Sequence, residues 1–155
     1  MSALGSAASG HLASYDRFAA WRKLYDMRQV IFYLGLGTLF THELDAMTSR
    51  EWRLIPILNS LPEDLGMTTF VLVHIPLFAG IIALIATKDD KTRSLSRIVV
   101  SLFLLLHAVL HFWFSFNPNY EFVSALSNWL IFGGALFGVI YLVLAYQEYV
   151  SLKVR

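Results

Sequence analysis

The chain has 155 residues, 57 % of them hydrophobic and only 15 % charged, with a mean hydropathy of +0.59. Soluble domains carry roughly 25 % charged residues, so this balance points to a membrane protein of one compact domain. Its 12 basic and 11 acidic residues leave a formal charge of +1, which offers no basic surface for nucleic acid. Cysteine is absent, which excludes disulfides, thiolate metal sites and cysteine nucleophiles, so any metal must be held by nitrogen and oxygen.

The first 28 residues divide into a flexible lead, without the basic n-region and apolar core of a signal peptide, and an amphipathic stretch, "DRFAAWRKLYDMR". In that stretch Phe18, Trp21, Leu24 and Tyr25 alternate with charges at a spacing that suits a short helix lying on the membrane surface. Four apolar segments follow, at about 29–46, 67–87, 95–116 and 124–146, each near the roughly 20 residues that cross a bilayer. The expected fold is therefore all-α: a polytopic four-helix bundle over 29–147, with a short interfacial helix before it and a tail over 148–155.

Orientation follows from the basic residues. Ten of the 12 (Arg17, Arg22, Lys23, Arg28, Lys88, Lys91, Arg93, Arg97, Lys153 and Arg155) fall on one side of the spans, and only Arg50 and Arg53 on the other. The positive-inside rule then puts both termini and the 88–94 loop in the cytoplasm, and the expected location is the inner (cytoplasmic) membrane of a bacterium.

The first span is uncharged through "VIFYLGLGTLF" and then runs into "THELDA", which brings His42, Glu43 and Asp45. Pro76 in the second span should disturb the helix close to His74, because it removes one backbone donor. The third span carries His107 and His111 four residues apart, on one helix face. In the fourth span Gly133, Gly134 and Gly138 permit close helix contact. Counted inward from the outer boundaries, the four histidines fall at depths of roughly 7–14 Å, all in the outer half of the membrane. Antiparallel helices reach this shared layer because the histidines come late in spans one and three and early in span two.

Ionisable residues inside a membrane normally face the protein interior and carry function. His42, Asp45, His74, His107 and His111 form the expected ligand set for zinc or iron, with manganese a third option. Glu43 and Asp45 are the candidate proton carriers, and Glu43 points about 100° away from His42 around the helix. Ser124 and Asn128, which open the fourth span, are expected to support the ligands by hydrogen bonding. Glu51 and Glu121 read as solvated loop carboxylates, and Trp52, Trp113, Trp129 and Tyr120 as an aromatic belt. A hydrogen-bond network or haem ligation by one of these histidines are the alternatives to a metal ion.

The combination of "THELDA…EWR", "VHIPLF" and "HAVLH" resembles a group of small bacterial membrane proteins built around a histidine–glutamate motif, similar in pattern to HxxEE-type membrane proteins, over about residues 28–146. The strict H-x-x-E-E string is absent, since Glu43 follows His42 at once and Asp45 comes three residues on. The resemblance implies a metal-binding membrane protein without specifying a reaction. Three functions fit these observations: a metal-dependent, hydrolytic enzyme acting on a lipid or other apolar substrate, an accessory or assembly subunit of a larger membrane complex, and a haem-binding electron-transfer protein. Transport is disfavoured, because there are only four spans and no internal repeat.

Overall fold

A computed structural model describes the backbone of residues 3–154, with side chains from residue 25 onward and of Arg22. Phe18, Trp21 and Leu24 of the expected interfacial helix lie outside the described side chains. The described residues form four helices and one 3-10 turn, with no strand among them: α1 (Ala3–Thr48), the turn Glu51–Arg53, α2 (Glu63–Ile85), α3 (Asp90–Phe114) and α4 (Ala125–Lys153). The stretch before residue 29 runs without a break into the first span as one helix of 46 residues.

Three helices, α2, α3 and α4, are long and apolar enough to cross a membrane. The 29–46 part of α1 packs with them as the fourth member of the bundle. It is less apolar than they are because it ends in His42, Glu43 and Asp45. Helix starts follow local chemistry. Glu63 and Asp64 complement the positive end of α2. Asp89 caps α3 by accepting from the Thr92 backbone N–H at 2.7 Å, and Ser124 caps α4 by accepting from that of Ser127 at 2.9 Å.

The packing is densest between α4 and its two neighbours, α1 and α3, while α2 lies to one side against α3 and the 3-10 turn. Gly138 sets the α3–α4 approach: a Cβ there would lie 2.7 Å from the Ser101 carbonyl oxygen, closer than real Cβ atoms come. Gly134 is less constrained, with its nearest neighbours on Thr38 and Leu104 in ordinary contact. Pro76 sits inside α2, which continues through it to Ile85.

Polar groups gather at the two ends of the bundle. At one end Arg28 pairs with Glu148, and the buried Arg97 donates to Gln29 and, at 3.2 Å, to the Tyr33 hydroxyl. Arg28 of α1 and Arg97 of α3 therefore lie at the same end of the bundle as Glu148 of α4. An apolar layer of Phe32, Leu36, Ile85, Val100 and Tyr141 lies above them. At the opposite end a second cluster joins Ala46, Trp52, Leu54, Leu58, Phe70, Ala108, Phe122 and Ile131. The link between α1 and α2 thus folds into the core and caps the histidines. Trp52, read from sequence as part of an aromatic belt, is buried in this cap, whereas Trp113 and Trp129 are exposed.

Candidate metal centre

Two local features bring the first helix to the site. His42 lies on the α1 face turned toward α3 and is almost fully buried, at 1 % exposure. Beyond Thr48 the chain reverses through Arg50, whose φ of 50° and ψ of 48° fall in the left-handed region. A side-chain-bearing residue held there costs roughly 1–2 kcal/mol. The reversal turns Glu51 and Trp52 inward, and Arg50 and Arg53 stay outside, where they pair with Glu121 at 3.6 and 3.4 Å. Arg53 also holds Glu63 at 2.9 Å, and Trp52 Nε1 donates to the same carboxylate at 3.2 Å. These surface pairs tie the turn to α2 and to the loop before α4.

His107 and His111, one turn apart on α3, complete a buried group with His42 and Glu51 whose four ligand atoms all lie within 4.8 Å of one another. The rings pack edge to face, with centroids 4.6 Å apart for His42–His107, 4.9 Å for His42–His111 and 4.6 Å for His107–His111. Glu51 reaches both sides of the group: its oxygens lie 3.5 Å from His42 Nε2 and 3.6 Å from His111 Nε2. Those distances exceed hydrogen-bond length. They approach the spacing of about 3.3 Å that separates two donor atoms sharing a tetrahedral ion at about 2.0–2.1 Å.

Buried polar atoms normally find partners. Here His42 Nδ1 and Nε2, His111 Nε2 and Glu51 Oε2 are buried without a hydrogen bond. Leaving such an atom unsatisfied costs about 1–3 kcal/mol, and an ion shared by three imidazoles and a carboxylate removes that cost for the atoms facing it. Burial by itself would raise the Glu51 carboxyl pKa. The facing His111 and His42 outweigh burial and hold it below the usual carboxylate range. The group is thus a three-histidine, one-glutamate cluster capable of coordinating a metal ion within a membrane-embedded helical bundle.

Aromatic residues close the walls. Phe122 stacks on His42 and meets His111 edge-on, while Phe103 stacks on His107. The Tyr120 hydroxyl lies 3.4 Å from His111 Nδ1, on the side of the ring away from Glu51, and so orients that ring. Burial raises the pKa of its phenol, and the negative Glu51 and Asp45 raise it further, so Tyr120 stays protonated.

The remaining expected site residues take other positions. His74 on α2 stands outside the four-residue group and faces Glu43, with Nε2 3.0 Å from its carboxylate. His74 Nδ1 donates to the Phe70 carbonyl oxygen at 2.6 Å. A carbonyl only accepts, so Nδ1 carries a proton, and the His74–Glu43 contact itself then holds a single shared proton. Asp45 also stands outside the group: one carboxylate oxygen is buried without a partner, and its backbone carbonyl accepts from Thr48 and Ser49. The hydrogen bonds of Ser124 and Asn128 stay within the first turn of α4.

Glu51 is the residue that sequence reasoning misplaced. It is not a solvated loop carboxylate but a buried one, at 8 % exposure. Its direction is set by the Arg50 reversal, and a three-residue turn has no periodicity from which to read it. Tyr120 likewise faces the histidines and not a lipid boundary.

A cavity of about 830 Å³ opens beside the cluster between α1, α2 and α3. Glu43, Glu51, His74, His107 and His111 line it, and most of the rest of its wall is apolar. Asp45 is not in its lining. Residues 28–148 match the model of one family, described as a Family of unknown function (DUF6713). No curated protein and no solved structure matches the chain.

Proposed function

We propose that the chain, which belongs to this family, is a metal-dependent membrane enzyme that hydrolyses a lipid or other apolar substrate. The observation that carries this reading is the convergence of three buried imidazoles and one buried carboxylate, of which Glu51, His107 and His111 line an apolar cavity while His42, His111 and Glu51 carry unpartnered ligand atoms. His42, Glu51, His107 and His111 are the assigned ligands. Three nitrogens and one oxygen suit zinc, with iron and then manganese as the other candidates. The edge-to-face contact of the rings leaves no slab between them for a macrocycle, which favours an ion over haem.

With a further coordination position open to the cavity beyond these four ligands, a bound ion would supply an activated water or a polarised carbonyl oxygen. The chain's own residues supply the rest. Glu43 and His74 face the cavity with one shared proton, so Glu43 accepts a proton from the attacking water and the pair returns it to the leaving oxygen. Glu43 takes this role in preference to Asp45 because only Glu43 lines the cavity. The apolar cap of Trp52, Leu54 and Leu58 limits bulk water at the cluster. With the basic end of the bundle in the cytoplasm, the cluster lies in the outer half of the membrane.

The test is fatty-acid release from ester lipids by purified protein reconstituted in bilayers. Glu43→Gln is expected to lower turnover by roughly 10²–10⁴-fold, the usual contribution of a positioned acid–base group, with metal content unchanged. Fully metal-loaded wild-type protein that releases no product from any ester lipid would contradict the enzyme reading, and its copurification with a larger complex would support an accessory subunit instead.

A further inference from the structure

The cavity continues away from the histidines toward the basic end of the bundle. Past His74 and His107 its wall is made of Leu77, Phe78 and Ile81 on α2 and Val99, Val100 and Phe103 on α3, with no polar side chain. From His74 to Ile81 along α2, and from His107 to Val99 along α3, this apolar stretch spans about 10–12 Å at 1.5 Å per residue. Leu77 and Val99 are about half exposed, so the stretch opens sideways along the seam between α2 and α3.

A bilayer presents this seam with acyl chains. Water entering it would find no hydrogen-bond partner below the histidine layer. The volume falls in the range of small-molecule sites, which are mostly apolar with a few convergent polar groups. All five ionisable groups of the lining, Glu43, Glu51, His74, His107 and His111, gather at one end. A slot with one polar end and one apolar end matches an ester lipid, whose carbonyl is joined to a hydrocarbon chain.

We infer that the cavity takes one acyl chain of an ester lipid, entering between α2 and α3, with the ester carbonyl at the level of His107 and Glu43. The chain runs down between Leu77 and Val99, and the headgroup leaves past Pro56 and Ile57 toward the outer surface. Ile57, at 77 % exposure, marks that exit. The placement of the carbonyl rests on the reading of the cluster as a reaction centre, whereas the chain slot stands on the lining alone.

The experiment uses a phosphatidylcholine with a photoactivatable diazirine in mid-chain, incorporated into bilayers with the full-length protein. Saturable labelling is expected on α2 from Leu77 to Ile81 and on α3 from Val99 to Phe103. Leu77→Trp and, independently, Val99→Trp are expected to reduce it by about tenfold, the effect of overfilling a packed cavity. Metal content should not change in either variant. Competition with free fatty acids keeps the test sharp should a variant fail to fold: palmitate is expected to displace the label from wild-type protein, and butyrate, too short to fill the slot, only weakly. Labelling spread evenly over the exposed faces of α3 and α4 would overturn the slot, and so would a cross-link between two copies across the α2–α3 seam. Metal-free protein that still labels in the cavity would retain the slot and remove the enzyme reading. Metal-loaded, hydrolytically active protein without saturable labelling would do the reverse.

Discussion

His111→Ala and His107→Ala are each expected to weaken metal binding by about a hundredfold, and the double variant by about ten-thousandfold. A structural zinc site of four ligands is worth roughly 10–16 kcal/mol, or about 3 kcal/mol per ligand, which corresponds to that factor. The two side chains share one face of α3, and their rings meet at 4.6 Å, so each removal opens the same site from a different side. His42→Ala should match them, because His42 is the only group from α1 among the four. His74→Ala provides the contrast: it faces Glu43 at 3.0 Å, outside the ligand group, and should leave metal content intact while lowering turnover. Metal measured by mass spectrometry against a competing chelator gives each value. Equal loss from His74→Ala and His111→Ala would place His74 among the ligands and require a different arrangement.

The second large effect belongs to Glu51. Glu51→Ala should also cost about a hundredfold in metal affinity, one ligand's share of such a site. It removes the only carboxylate of the group and leaves His42 and His111 facing a void. Glu121→Ala serves as the control. It too is a loop glutamate at this end of the bundle, but among the described residues its ion pairs are to Arg50 and Arg53 at the surface, and such pairs contribute little. The same chelator competition, run on both variants, separates a buried ligand from a surface charge. Identical behaviour of the two would show that Glu51 does not reach an ion.

The contrast between these two glutamates also shows where sequence reading succeeds. Hydropathy and helical spacing are strong signals: of the four apolar segments read, α2, α3 and α4 are long and apolar enough to cross a membrane, and of the four histidines read at one depth, His42, His107 and His111 meet, the last two from one face of α3, while His74 faces Glu43. The roughly 100° offset of Glu43 from His42 was legible as well, and it is what turns Glu43 toward α2 and His74. The pairing itself was not, because the rotation of α2 about its own axis is set by packing against α3 and the 3-10 turn. Glu51 and Trp52 were hidden for a different reason: the left-handed Arg50 aims them, and nothing in "SREW" demands that conformation. Tyr120 was hidden because its contact with His111 depends on how the loop between α3 and α4 folds back.

The most direct test of the metal centre is X-ray absorption spectroscopy on wild-type protein purified in detergent, with metal content measured on the same sample. The expected result is about one ion per chain in a first shell of nitrogen and oxygen at about 2.0–2.1 Å, carrying the outer-shell scattering of three imidazoles. Protein purified without metal that also fails to take up zinc, iron or manganese would contradict the account, as would a bound ion whose shell shows fewer than two imidazoles.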